Sequence, residues 1–336
     1  MADFRAGRWA ARPDIAAVVA GALLLLALPW LAEALDAGYF VGVMTRVLIF
    51  ALAGVSLNLA LGYGGLVSFG HAAFFGCGAY VVAILAYHAG NEPLLAWPFE
   101  IEGTTAALVA WPLAFLVSGL LALAIGAISL RTSGLYFIMI TLAFAQMIYF
   151  FFVSLEAYGG DDGLSLLRRS TAGPLRLGDD NQFYYLVLAI LVAALLLMRR
   201  LVNSRFGMTL RGIRDNERRM RALGFPSYRY KLAAFTLSGA LAGLAGALIA
   251  NQTEFVSPAF LEWRYSGEIL VMVVLGGMGT LLGPVVGAIA FLLLEEFLSQ
   301  WTQHWMIVLG PLLLLVVLFA RRGLWGLALG REAKRG

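Results

Sequence analysis

The chain has 336 residues, of which 61% are hydrophobic and 13% charged, and its mean hydropathy is +0.84. Soluble globular domains are nearer half apolar and a quarter charged, so this composition excludes a water-soluble enzyme, and it equally excludes a disordered chain, which needs low hydrophobicity and high charge. Basic residues outnumber acidic ones by 24 to 20, a net charge of +4. In a membrane protein the placement of charge matters more than its sum, and this surplus implies no nucleic-acid partner.

Taken in chain order, apolar runs predict membrane helices, each needing roughly 20 residues to cross a hydrocarbon core. The runs are Ile15–Leu35, Val43–Leu61, Leu66–Tyr87, Thr105–Leu130, Leu135–Val153, Phe183–Met198 and Leu232–Ala250. The stretch from Ser266 to Ala320 holds the remaining spans, interrupted by Gly276, Gly277, Gly279, Gly283 and Pro284 and again at Ser299–His304. The expectation is one all-α polytopic membrane domain over residues 1–336, with about ten helices. Short or Gly-broken helices are expected near Gly62–Gly70 and Gly276–Pro284, which resemble a faint internal repeat of the kind transporters use.

Lys and Arg collect in cytoplasmic loops. With both termini, Arg131 and residues 199–231 placed inside, only Arg46, Arg168, Arg169, Arg176 and Arg264 lie outside. Both termini are therefore expected to be cytoplasmic, the 199–231 segment to be a cytoplasmic loop and 154–182 a long outer loop. Asp161 and Asp162, in a Gly-rich turn of that outer loop, are candidate contacts for an external partner. The single cysteine, Cys77, excludes an internal disulfide framework, and three histidines exclude a His-rich metal site. No phosphate-binding G-x-x-x-x-G-K-[ST] loop, nucleophile–base set or metal-ligand cluster is present. Catalytic and metal-binding residues are thus expected to be none, and energy other than an ion gradient must come from another chain.

Polar residues within the spans are few: Asn58, Ser68, His71, Gln146 and Glu268. Such groups usually face protein or water, which makes them candidates for a translocation path. Asn58 and Gln146 read as interhelical hydrogen bonders, His71 as a helix cap or packing residue, and Glu268 as a side chain reaching the interface. Gly239-x-x-x-Gly243 fits close helix packing. An ion-coupled secondary transporter would need ionisable groups at mid-membrane, and no Asp lies centrally in any span.

The sharpest pattern is in the 199–231 segment. From Ser204 it reads as a short amphipathic helix with apolar Leu210, Ile213, Met220 and Leu223, stopped by Gly224 and Pro226. Arg214, Asp215, Asn216 and Glu217 sit together in its middle. Arg214 and Glu217, three apart, would share a helix face and could pair with each other or with a partner. Such a helix suits either a partner's groove or a lipid surface.

The stretch FGMTLRGIRDNERRMRALGF resembles the coupling loop of ABC importer permeases of the branched-chain amino acid (LivM-like) class. Arg214–Glu217, Ala222 and Gly224 match, while Arg219 and Met220 stand where alanines are commoner. SLNLALGYGGLVSFGHAAFFGCGAY (Ser56–Tyr80), LRTSGLYFIMITLAFAQ (Leu130–Gln146) and VLGGMGTLLGPVVGA (Val274–Ala288) are similar to further segments of that family, in the same order. The resemblance implies a bacterial inner-membrane permease subunit carrying branched-chain or other neutral amino acids, with relatives that carry urea or short amides. It implies a homologous permease subunit, two ATP-binding subunits that hold the ATP and Mg2+, and a periplasmic substrate-binding protein. It also implies that Arg214, Asp215, Asn216, Glu217, Ala222 and Gly224 couple to the ATPase.

Overall fold

A computed structural model describes residues 15–34, 37–90, 103–166, 168–171, 173, 177–301, 304, 306–311 and 323–329. The helices are α1 (Ile15–Ala34), α2 (Tyr39–Asn58), α3 (His71–His88), α4 (Ala107–Ser129), α5 (Leu135–Val153) and α6 (Asp180–Val202). They continue as α7 (Arg205–Asp215), α8 (Glu217–Ala222), α9 (Ser227–Thr253), α10 (Trp263–Gly276) and α11 (Gly283–Trp301), with a short helix at Gly323–Leu329. Two strands of two residues each, β1 (Leu164–Ser165) and β2 (Phe255–Val256), pair antiparallel at one end of the bundle. The protein is an all-α polytopic membrane protein.

Among the described residues seven helices are long and apolar enough to cross a membrane: Tyr39–Tyr63, α3, α4, α5, α6, α9 and α11. The apolar run of α1 and the 14-residue α10 are shorter. Of the span expected after the Ser299–His304 interruption only residues 306–311 are described, as helix, and residues 1–14 and 330–336 lie outside the described residues. The run read as Leu66–Tyr87 becomes helical only at His71, because residues 64–70 leave helical geometry. The run read as Val43–Leu61 ends in a π-helical turn, Leu59–Tyr63, that continues α2. Both breaks fall where glycine interrupts the apolar sequence, since glycine reaches positive φ without steric cost: Gly65 has φ +69° and Gly277 has φ +120°.

The bundle is built around α9, which packs against α2, α3 and α4. Lipid tails are as apolar as leucine, so helices in a membrane associate through close packing rather than through the hydrophobic effect. The small residues of α9 supply that packing. A Cβ added at Gly243 would sit 2.1 Å from Ser118 Oγ on α4, and one at Gly246 would sit 1.7 Å from the Phe75 carbonyl oxygen on α3. Phe74, Phe75 and Phe235 fill the surrounding space and are fully buried. In contrast, α5 leaves Leu135, Tyr136, Met139, Met147, Phe150 and Phe151 exposed on its outer face.

Gly243→Leu and Gly246→Val are expected to drive side chains into backbone and to cost about 1–3 kcal/mol or more. Thermal unfolding in detergent should show midpoints lowered by roughly 2–10 °C. Gly21→Leu on α1, where a Cβ meets nothing within 4 Å, should leave the midpoint unchanged.

Candidate functional site: the helix breaks and the α7–α8 loop

The segment between α6 and α9 is two helices rather than one. Ser204 starts α7 by accepting a hydrogen bond from the Gly207 amide. Asn216 then leaves helical geometry (φ −159°, ψ 94°), and its side chain accepts from the Arg219 amide at 2.9 Å, capping α8. A short polar side chain at an N-cap satisfies one of the orphan amides of the new helix. Gly224, with φ +87°, ends the unit; a Cβ there would meet nothing within 4 Å. Leu210 and Ile213 are buried, whereas Leu223 is 66% exposed. Met220 reaches back onto α7, its sulfur 2.9 Å from where a Gly212 Cβ would lie.

The break at Asn216 removes the shared helix face expected of Arg214 and Glu217, and the two side chains bond elsewhere rather than to each other. Glu217 instead accepts hydrogen bonds from Arg221, from Lys231 on α9 and from Ser227 at 2.9 Å. Partial burial would by itself raise the Glu217 carboxyl, but the Lys231, Arg221 and Ser227 hydrogen bonds outweigh it and hold the group down at about 2. Asp215, Ala222, Arg218 and Arg219 are exposed.

Arg214 is also exposed as a residue, but its guanidinium turns the other way, toward the bundle. Its Nη1 donates to the carbonyl oxygen of Gly62 in the π-helical turn. Its Nε and Nη2 donate to Asp215 Oδ1, each at 3.3 Å. A Cβ at Gly65 would lie 2.8 Å from Arg214 Cγ, and one at Gly279 would lie 3.4 Å from Arg214 Nη1. Just before the π-helical turn, Asn58 bridges to the second break: its Nδ2 donates to the Thr280 carbonyl at 2.8 Å, and its Oδ1 accepts from the Gly279 amide at 2.9 Å. Thr280 Oγ1 closes the local turn with Gly277 O at 2.8 Å and accepts from the Gly283 amide at 3.1 Å. The two Gly-broken segments are therefore one interlocked junction with α7 beneath it.

The other polar residues within the spans divide into separate places. Ser68 accepts from the Gly70 amide at 3.1 Å, a local contact. His71 begins α3 fully buried, with Nε2 at 2.8 Å from Ser238 Oγ on α9; Ser238 donates in turn to the Ser56 carbonyl on α2. Ser266 on α10 accepts from the Ala72 amide at 2.8 Å. Gln146 departs from expectation: it makes no side-chain hydrogen bond among the described residues and is half-buried on α5, a helix that buries Phe137, Thr141, Ala145 and Ile148 but not Gln146. Glu268 is half-buried on α10 and forms no ion pair among the described residues. No hydrogen bond among the described residues links any two of Asn58, Ser68, His71, Gln146 and Glu268. Sequence reasoning did not single out Ser56, Ser238, Ser266 and Thr280. The available signal was the rule that Ser and Thr inside apolar spans bond across helices.

At the opposite end, Asp161 and Asp162 are exposed on a turn made by Gly159, Gly160 and Gly163, all at positive φ. Several described residues of the 154–182 segment are tied to neighbouring elements. β1 pairs with β2, and the Ser170 amide donates to Asn251 Oδ1 at 2.7 Å. Arg169 bonds Asp180 at 2.7 Å and Glu254 at 3.2 Å, and its guanidinium lies 5.2 Å from the Phe183 ring centre.

Residues 39–317 match the family model described as branched-chain amino acid transport system / permease component. The chain belongs to this permease family. The permease is 30% identical to the high-affinity branched-chain amino acid transport system permease protein LivM of Escherichia coli, over 90% of this chain and 73% of the relative. It is 29% identical to the protein of the same description from Salmonella typhimurium, with the same coverage. It is also 35% identical to the autoinducer 2 import system permease protein LsrC of Klebsiella pneumoniae, over 38% of this chain and 37% of that one. No solved structure matches the permease. Among the described residues no group of three or more His, Cys, Asp or Glu is placed to hold a metal ion.

Glu217 ties α8 to α9, and its lowered carboxyl sets the pH behaviour of that tie. The contribution is complete above the ordinary carboxylate range and is lost progressively as pH falls from that range through about 2. Protection factors of the α8 amides are thus expected to be equal at pH 5 and pH 7. Because the ion pairs are partly exposed, Glu217→Ala should cost only about 1 kcal/mol, a fall of roughly five-fold in α8 protection, read by hydrogen exchange.

Proposed function

We propose that this permease is the membrane-spanning subunit of a bacterial ABC importer in the inner membrane. In this reading α7, α8 and both termini face the cytoplasm, and the 154–182 segment faces the periplasm. The chain pairs with a homologous permease to enclose the path. Two ATP-binding subunits, which hold the ATP and Mg2+, dock on the α7–α8 loop, and a periplasmic binding protein delivers the solute. The cargo is a branched-chain or other neutral amino acid. The observation that carries this reading is the family match across residues 39–317, together with relatives whose descriptions name branched-chain amino acid transport.

The geometry supports the docking role. The α8 unit is short, stands between two spans and has no buried residue. Leu223, Met208 and Met278 are exposed large apolar side chains, two of them in the 199–231 loop and the third in the α10–α11 break. Asp215, Asn216, Ala222 and Gly224 are exposed beside them, where a partner's groove can take a short helix. Glu217 holds the unit in shape, and Arg214 ties it to the bundle.

The deciding test is uptake into vesicles by the reconstituted complex with its binding protein. Labelled leucine, isoleucine or valine is expected to accumulate with ATP. Excess unlabelled leucine should compete, and urea or short amides should not. Accumulation of urea or an amide instead would reassign the cargo, and no co-purifying ATPase would remove the importer reading.

A bulky side chain at Gly224 would extend into open space and force a side chain into left-handed backbone, costing about 1–2 kcal/mol. Gly224→Trp is expected to reduce the ATPase recovered with the permease and to reduce transport, while membrane insertion stays normal. On the opposite face, Asp161→Asn with Asp162→Asn should weaken ATPase stimulation by the loaded binding protein. The loss should shrink as salt rises, because exposed charges separated by more than about 8–10 Å are screened at physiological ionic strength.

A further inference from the structure

We infer that Arg214 is a positioning residue that transmits movement of α7 to both helix breaks at once, rather than a contact for the ATPase; this rests on the importer reading above. Three observations on different elements meet at this side chain.

The first is the acceptor. Gly62 lies in a π-helical turn, and such turns leave backbone groups without their regular helical partners. Its carbonyl receives Arg214 Nη1. A buried or half-buried carbonyl in an apolar setting needs a donor, and a guanidinium supplies a charge-assisted one.

The second is orientation. Asp215 accepts from Nε and Nη2 of the same guanidinium. The two remaining edges of the fork are therefore held on the α7 side, which leaves Nη1 aimed at Gly62. Arginine presents several donors in one rigid plane, so the side chain acts as a strut between α7 and the turn.

The third is what the turn carries. Asn58, the residue before it, bonds Thr280 O and Gly279 N of the other break. Gly62 is itself packed there: a Cβ on it would lie 2.0 Å from Asn58 Oδ1 and 2.5 Å from the Gly279 amide nitrogen. No slack separates the two breaks. A displacement of α7 that pulls on Gly62 must move residues 277–282 with it. Coupling between distant sites requires a physical element that both can bias, and this junction is that element.

The test uses the reconstituted complex, with three quantities measured together: ATPase subunit recovered with the permease, ATP hydrolysis stimulated by loaded binding protein, and solute transported per ATP hydrolysed. Arg214→Met is expected to assemble and to lower the transport-to-hydrolysis ratio about ten-fold or more, the scale of losing a charged hydrogen bond. Arg214→Lys, which keeps a donor but not the fork, should restore part of the ratio. Gly65→Ala approaches the same contact from the opposite side without altering any residue of α7 or α8, since its Cβ would lie 2.8 Å from Arg214 Cγ. It should lower the ratio in the same direction. If Arg214→Met lowers assembly, hydrolysis and transport together at an unchanged ratio, Arg214 is a docking contact and the inference is wrong. An unchanged ratio in both Arg214→Met and Gly65→Ala overturns it as well. Failure of the wild-type chain to assemble with an ATPase or to transport would instead remove the importer reading, so the two failures are distinguishable.

Discussion

The structure depends on one constraint: backbone amides and carbonyls inside an apolar medium must find partners within the protein. Among the described residues ten glycines stand at positive φ, and two of the segments they open, residues 64–70 and 277–282, interrupt otherwise continuous apolar runs. Left alone, each would expose amides and carbonyls that a helix would satisfy. The first is satisfied by the preceding π-helical turn, by Thr141 and by Ser68, and the second is met from α2. Asn58 uses one amide donor and its carbonyl acceptor across the gap, to Thr280 and Gly279. The Gly62 carbonyl is met from outside the spans by Arg214. The breaks are therefore not flaws in two helices but one composite polar junction with a charged cap.

The same requirement explains the buried hydroxyls. Ser238 receives nothing from its own helix; it joins His71 on α3 to the Ser56 carbonyl on α2. Ser266 satisfies the Ala72 amide, one of the orphan donors at the start of α3. His71 and Ala72 thus begin a helix in the middle of the bundle without a side-chain cap from the preceding residue. Their partners come from α9 and α10, so the start of α3 forms only when those helices are in place.

Much of the helical architecture was legible in the sequence because apolar runs of span length have few alternatives. The positions of both breaks were legible as well, since glycine clusters mark them. The junction itself was not: Asn58 and Thr280 are 222 residues apart, and no local pattern connects them. The α7–α8 loop was read as one helix because its apolar positions keep helical spacing through Met220. Asn216 ends α7 by capping α8, a choice the short polar side chain makes available but does not dictate. That single bend separated Arg214 from Glu217 and sent one to the bundle and the other to α9. Gln146 was misread for the opposite reason: a polar residue within a span signals a partner only when a neighbouring helix covers it, and α5 is covered on one side alone.

The two ends of the molecule are joined by α9. At one end Lys231 holds Glu217 of α8. At the other, Asn251 accepts the Ser170 amide and Glu254, the residue after the helix, pairs with Arg169. A 27-residue helix is about 40 Å long, enough to run from one face of a membrane to the other. Its middle has no room to bend independently, because Gly239, Gly243 and Gly246 bring it against α3 and α4 with no space for a methyl group. Packed interiors of this density pass displacement on rather than absorb it. Arg214 ties α7 to the π-helical turn and Glu217 ties α8 to α9, the two contacts lying on either side of the bend at Asn216.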